Sequence, residues 1–234
     1  SDHSRFVLTT HVRPDGDALG SVLGLACWLK DQGKDVRVVN PSPTPHRYDF
    51  LDPDGTLFEH IDRGRVPQGL EDREVLVILD LSSWGQLASL ADWVRAFPGR
   101  RLVIDHHVSE DDMGAVMLKD TTAEATGRLV LDAIETLGGP LSPRAATGLF
   151  TAIAMDTGWF RHASTSPGTL QAAARLMEAG ADLVGIHRQL YLRDRLQKLK
   201  LIGQTIDRLQ TDLDGRIAYT TISREDVARV GAIP

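Results

Sequence analysis

With 234 residues, 42% of them apolar, the chain is long enough for one large domain or one domain plus part of another, and its composition excludes a wholly disordered protein. Its 26 basic against 32 acidic residues give a net charge of −6, which excludes gripping long nucleic acid but not a small anionic substrate, because bound cations reverse the sign of a site locally. A single cysteine, Cys27, excludes an intramolecular disulfide; with no basic leader and no apolar run long enough to span a bilayer, the sequence predicts a cytoplasmic protein with no membrane partner.

The first apolar run is strand-like and leads into His11-Val12-Arg13-Pro14-Asp15-Gly16-Asp17. Pro14 and Gly16 make a turn, and Leu19, Val22, Leu23 and Ala26 then fall at helical spacing as far as Gly33. Residues two apart in an extended segment point to opposite sides, so Asp15 and Asp17 can face different cations while His11 reaches back to the first. Asp17 also suits an N-cap, so on these residues alone an Asp-rich helix cap stays open. Val36 to Val39 read as a second strand, and 42–72, rich in Pro, Gly and charge, as irregular with short elements. Val75 to Leu79 is continuously apolar, the pattern of a strand buried on both faces, and ends on Asp80. Helical spacing resumes at Leu87, Leu90, Ala91 and Val94; Arg101 to Ile104 form another buried strand that ends on Asp105-His106-His107. A fifth strand, Ala115 to Leu118, precedes a helix from about Thr122 to Leu137.

This alternation predicts an α/β fold, a doubly wound parallel five-stranded sheet with helices on both faces. In such sheets ligands bind beyond the carboxyl ends of the strands, where strand order reverses. His11, Asp80 and Asp105-His106-His107 all fall at that edge, which unrelated caps and turns have no reason to do. Past Gly138-Gly139-Pro140, an apolar helix from about Pro143 runs into Asp156-Thr157-Gly158, where Asp156 is either a ligand or a turn residue. A helix from Thr169 to about Ala179 follows, then a long helical stretch from Asp182 towards Leu209. Its Arg188, Arg193, Arg195, Lys198 and Lys200 fit a solvated face better than a phosphate site. Asp214-Gly215 suits a hairpin turn before Arg216 to Ile222.

Collected together, His11, Asp15, Asp17, Asp80, His106, His107 and Asp156 are hard oxygen donors mixed with imidazoles, a set that favours Mn²⁺, with Mg²⁺, Co²⁺ or Zn²⁺ as substitutes. Two such ions about 4 Å apart activate water and stabilise charge on a phosphoryl group. A remaining histidine can protonate the leaving oxygen, worth about 10²–10⁴ in rate. The sequence has no G-x-x-x-x-G-K-[ST] loop, no G-x-G-x-x-G after the first strand and no G-x-S-x-G elbow.

Four motifs in order, His11 to Ser21, Asp80 after its strand, Asp105-His106-His107, and Asp156-Thr157-Gly158, resemble the DHH phosphoesterase family, which is named for the triplet. The segment Asp156-Thr157-Gly158-Trp159-Phe160-Arg161 is most similar to the branch of bacterial oligoribonucleases that also dephosphorylate 3′-phosphoadenosine 5′-phosphate. The resemblance covers nearly the whole chain. It implies that His11, Asp15 and Asp80 hold one Mn²⁺ and that Asp17, Asp80, His106 and Asp156 hold the other, with Asp80 as the bridge. It further implies that Asp105 orients a neighbouring histidine, that His107 contacts substrate and protonates the leaving group, and that Arg161 holds a substrate phosphate. Two departures stand out: Gln86 occupies a place where relatives often have a basic residue, and no Gly-rich, His-containing nucleotide motif occurs before Pro234.

The expected organisation is a catalytic domain over 1–181, a helical linker over 182–210, and the start of a truncated C-terminal substrate-binding domain over 211–234. The expected function is metal-dependent hydrolysis of short oligoribonucleotides or 3′-phosphoadenosine 5′-phosphate. Rivals are a manganese pyrophosphatase, a phosphodiesterase for cyclic or linear dinucleotides, and a non-catalytic nucleotide-binding module. The expected partner is a short RNA or nucleotide phosphate, not long nucleic acid, and a homodimer is left open.

Overall fold

The computed structural model describes residues 3–61, 65–193 and 196–231. The chain divides into two compact units, Ser1–Ile186 and His187–Pro234.

Six parallel strands build the sheet of the first unit: β1 (Arg5–Thr9), β2 (Asp35–Asn40), β3 (Phe58–His60), β4 (Val75–Leu79), β5 (Arg100–Asp105) and β6 (Val116–Lys119), in the order β3-β2-β1-β4-β5-β6. The strand missing from the sequence expectation is β3, whose three residues pair alongside Val38, Val39 and Asn40. A run that short shows no alternation to detect, and it falls within the Pro- and Gly-rich stretch. From β1 the chain winds outward through β2 to β3, then returns to lay β4 on the other side of β1. The reversal of strand order therefore lies between the carboxyl ends of β1 and β4.

Helices cover both faces. One face packs Val7, Leu76, Ile78 and Val103 against Leu87 and Leu90 of a 3₁₀ segment at Trp84–Leu90, Val94 of α2 (Ala91–Ala96) and Phe97 just after it. Left-handed backbone at Ala88 (φ 47°) divides what the spacing predicts as one helix. Elsewhere α1 (Gly16–Asp31) packs on β1, β2 and β4 and against α3 (Thr126–Leu137) and α4 (Pro143–Asp156). Covered so widely, α1 is buried from Gly16 to Leu29, and glycine sets its distance from α4. A Cβ at Gly20 would stand 2.4 Å from the Gly148 carbonyl oxygen and 2.8 Å from the Ala152 nitrogen. These contacts are backbone on backbone, closer than any side chain permits. They matter because the N-terminus of α1 and the C-terminus of α4 both carry candidate ligands. The unit continues through α5 (Pro167–Glu178), opened by a Ser166–Thr169 capping box, into α6 (Leu183–Tyr191).

In place of one long helix beyond Asp182, α6 and α7 (Leu196–Asp207) are separate, with Leu192 and Arg193 non-helical; Arg195 lies outside the described residues. In the second unit, α7 is followed by an antiparallel hairpin, β7 (Gln210–Asp212) and β8 (Ile217–Tyr219), and by α8 (Arg224–Val230). Arg208 makes a bidentate pair with buried Asp226, at 2.7 and 2.8 Å, which ties α7 to the capping box of α8. Among the described residues, no helix is long and apolar enough to cross a membrane.

Candidate metal centre

The strand ends at the reversal point bring the predicted residues together. His11 follows β1, Asp15 and Asp17 open α1, Asp80 follows β4, His106 and His107 follow β5, and Asp156 ends α4. Three sets place one donor atom per residue within 4.8 Å of one another: His11, Asp15 and Asp80; Asp17, His106 and Asp156; and Asp80, His106 and His107.

Asp80 is central. Its backbone is left-handed (φ 64°), and its side chain is 2% exposed. Its two oxygens face different imidazoles: Oδ2 lies 3.5 Å from His11 Nε2, and Oδ1 lies 3.7 Å from His106 Nε2. His106 Nε2 also lies 3.6 Å from Asp17 Oδ2 and 3.5 Å from Asp156 Oδ2. These separations exceed a hydrogen bond and suit donors that each stand about 2.1 Å from one shared ion. The Nδ1 atoms of His11 and His106 lie 3.0 and 3.1 Å from the carbonyls of Val12 and Ala123. A proton held there leaves each Nε2 lone pair facing the carboxylates.

Electrostatics point the same way. Burial, reinforced by the Asp17 and Asp15 charges, holds the Asp80 carboxyl well above the usual carboxylate range. Burial and the Asp156 charge push Asp17 up to about 6. Burial likewise raises Asp156, with the Asp15 charge adding to it and His106 opposing it. Carboxylates so crowded need a cation before they ionise together, and a pair of divalent ions meets that need. The donor set therefore fits metal.

Asp15, not Asp17, is the N-cap of α1: its Oδ1 accepts from the Ala18 N–H at 3.0 Å. Asp17 is instead gripped across the fold by the first turn of α3. The N–H groups of Thr126 and Gly127 donate to it at 2.7 and 2.9 Å, and the Ser21 hydroxyl adds a bond of 3.1 Å. Thr126 Oγ1 donates to Asp80 Oδ1 at 2.9 Å. These residues escaped sequence reasoning because they stand 109 and 110 positions from Asp17, and the spacing placed them inside a helix from about Thr122, whereas the structure starts α3 at Thr126.

Asp105 is fully buried and stands outside the three donor sets. It accepts from His107 Nδ1 at 2.8 Å, from the His107 N–H at 3.2 Å and from Ser82 Oγ at 2.6 Å. Burial opposes its ionised form, but these hydrogen bonds outweigh it and hold the carboxyl below its ordinary value. The same contact raises the His107 imidazole, so the half-exposed ring favours its protonated form. Lys119, paired in register with Asp105 on β6, lies 3.7 Å from it and donates to Ser82 Oγ at 2.9 Å. Neither Ser82 nor Lys119 carries a sequence signal before the strands are paired.

Arg161 is exposed, and its Nε donates to the Gly158 carbonyl at 2.8 Å; no contact described here joins it to the ligand cluster. His162, which the sequence reading passed over, packs its ring on Gly158 and places Nδ1 3.2 Å from the Asp156 carbonyl.

The profile of the DHH family, N-terminal domain, matches residues 5–153. The bifunctional oligoribonuclease and PAP phosphatase NrnA of Thermus thermophilus is 33% identical over 199 residues, covering 85% of this chain and 57% of that protein. The protein of the same name from Bacillus subtilis is 24% identical, covering 98% of this chain and 70% of its own length. The chain thus spans little more than half of the Thermus relative. The crystal structure of an exopolyphosphatase-related protein from Bacteroides fragilis superposes with a TM-score of 0.91 at 26% identity, covering 99% of this chain and 69% of that one. A putative family II inorganic pyrophosphatase from Methanococcus jannaschii, at a TM-score of 0.61 and 20% identity over 97% of this chain and 74% of its own, shares the fold.

Proposed function

The chain belongs to the DHH family, and from that membership and the ligand geometry around Asp80 we propose a two-metal phosphoesterase that acts on short oligoribonucleotides and 3′-phosphoadenosine 5′-phosphate. The observation that carries this reading is the orientation of the Asp80 carboxylate, with one oxygen toward His11 and the other toward His106. His11, Asp15 and Asp80 would hold one ion, and Asp17, His106 and Asp156, with Asp80 beside them, would hold the other. Mn²⁺ suits this mixed donor set, and Mg²⁺, Co²⁺ or Zn²⁺ can substitute. When bound, the ions supply Lewis acidity toward the phosphoryl oxygens and a water that ionises near neutral pH.

The chain's own residues do the rest. Asp80 keeps the two ligand sets in register, and Thr126 fixes the rotation of its carboxylate. His107, half-exposed with its imidazole raised by the hydrogen bond to Asp105, is placed to give a proton to the leaving oxygen, and Asp105 holds the ring for that transfer. Asp105 is in turn held by Ser82 and Lys119. Arg161 meets a substrate phosphate at the exposed end of the turn after α4. Residues 1–181 form the catalytic domain, with 182–210 as a helical linker. The similar proteins of Thermus thermophilus and Bacillus subtilis, each a bifunctional oligoribonuclease and PAP phosphatase, support these substrates.

The test offers 3′-phosphoadenosine 5′-phosphate, a short RNA, pyrophosphate and a cyclic dinucleotide with Mn²⁺. Phosphate or mononucleotide release from either of the first two supports the reading. Release from pyrophosphate alone replaces it with a pyrophosphatase, and metal binding with no release from any replaces it with a nucleotide-binding module.

A further inference from the structure

Three successive residues after Asp156, namely Gly158, Trp159 and Phe160, are held in left-handed backbone at φ 57°, 60° and 61°. Glycine adopts that conformation freely, but two bulky aromatic residues there are genuine outliers. The chain spends a set of hydrogen bonds on keeping them so. The Trp159 N–H donates to the Ala154 carbonyl, the Phe160 N–H donates to Thr157 Oγ1 at 3.1 Å, and the Thr157 carbonyl accepts from both Arg161 and His162. Strain that the surroundings over-determine in this way concentrates at functional sites.

The turn holds its two aromatic side chains at the boundary of the fold. Trp159 and Phe160 lie edge to face, with centroids 6.2 Å apart, and both lie edge to face with fully buried Phe150, at 6.1 and 5.9 Å. Neither ring is fully buried, and exposed Arg161 and His162 follow directly. A packing role alone would favour burial, and a turn alone would favour glycine. Trp159 and Phe160 follow Asp156 by three and four residues along the chain, and as half-buried aromatic residues they keep surface that suits a planar, uncharged group attached to a phosphate.

We propose that Trp159 and Phe160 form a stacking platform for the nucleobase of the substrate. The inference rests on the phosphoesterase reading and deepens it by naming the side chains that face the base of the substrate. Stacking accepts any base, because every base offers a π face, and its usual worth corresponds to about 5- to 150-fold in affinity per base.

The experiment compares adenosine 3′,5′-bisphosphate with its abasic counterpart, 1-deoxyribose 3,5-bisphosphate, using the full chain and Mn²⁺. The wild type is expected to prefer the nucleotide in kcat/KM. Trp159→Gly, which tolerates the left-handed backbone, is expected to lower that preference about 5- to 150-fold through KM. Trp159→Tyr is expected to restore most of it, and Phe160→Leu to lower it again. A wild type with no preference for the base, or a Trp159→Gly preference equal to the wild type's, overturns the platform. Should the wild type hydrolyse neither compound, the phosphoesterase reading fails by itself. Calorimetric binding of the same two compounds then decides the platform, which equal affinities overturn.

Discussion

Replacing Gly20 by alanine tests whether the approach of α1 to α4 sets the metal centre. The added methyl would sit 2.4 Å from the Gly148 carbonyl oxygen, about 1 Å inside ordinary contact, and the obstacle is helix backbone that has no rotamer to escape into. Overpacking of this kind costs about 1–3 kcal/mol, offset by at most about 1 kcal/mol from the better helix propensity of alanine. With the full offset up to about 2 kcal/mol remains, and at about 2–4 °C per kcal/mol for a chain of this size Tm should fall by up to about 8 °C. The functional effect should be larger. The two helices carry Asp17 and Asp156, whose donor atoms share a set within 4.8 Å with His106, and a 1 Å separation spoils that set. Calorimetric titration with Mn²⁺ should show the ion of the Asp17, His106 and Asp156 set losing about tenfold or more in affinity. Gly203→Ala is the control, since a Cβ there meets nothing within 4 Å; it should leave Mn²⁺ binding unchanged and Tm equal or slightly higher. A Gly20→Ala protein with wild-type Tm and an unchanged Mn²⁺ isotherm would refute the reasoning.

Two further outcomes follow from the electrostatics. Asp17 rises from 3.8 to about 6 in the folded, metal-free chain, so the folded state holds its proton more tightly than the unfolded state. Stability from this group is fully present below about 3.8 and is lost as pH rises from there through about 6, so it is still falling between pH 5 and pH 7. Metal-free protein should therefore melt higher at pH 5 than at pH 7, with Mn²⁺ removing the difference; equal melting temperatures without metal would contradict the cause assigned. His107→Ala should lower kcat by about 10²–10⁴ with Mn²⁺ stoichiometry intact, and a loss below about tenfold would remove its role as proton donor.

Much of the site was legible in the sequence because its residues stand at strand ends, where apolar runs stop on His or Asp. Val75 to Leu79 coincide with β4, and Asp80 follows at once. His11 and Asp105-His106-His107 were placed by the same logic. What the sequence concealed was set by long-range packing. Asp17 looked like a local cap, yet its partners are the Thr126 and Gly127 N–H groups of another helix. Ser82 and Lys119 acquire meaning only when β5 and β6 pair in register and bring Lys119 beside Asp105. Strand β3 was hidden by its length, and the separation of α6 from α7 by helical spacing that runs on through both.

The central claim is that Asp80 joins two ion sites, and counting Mn²⁺ per chain by equilibrium dialysis tests it most directly. The wild type should bind two ions, and Asp80→Asn should weaken both together and abolish turnover, because the amide turns one of the two facing oxygens into an NH2 group that cannot ligate and removes the negative charge both sets share. A wild type that binds a single ion, or an Asp80→Asn protein that keeps two ions and near-normal rates, would contradict the account.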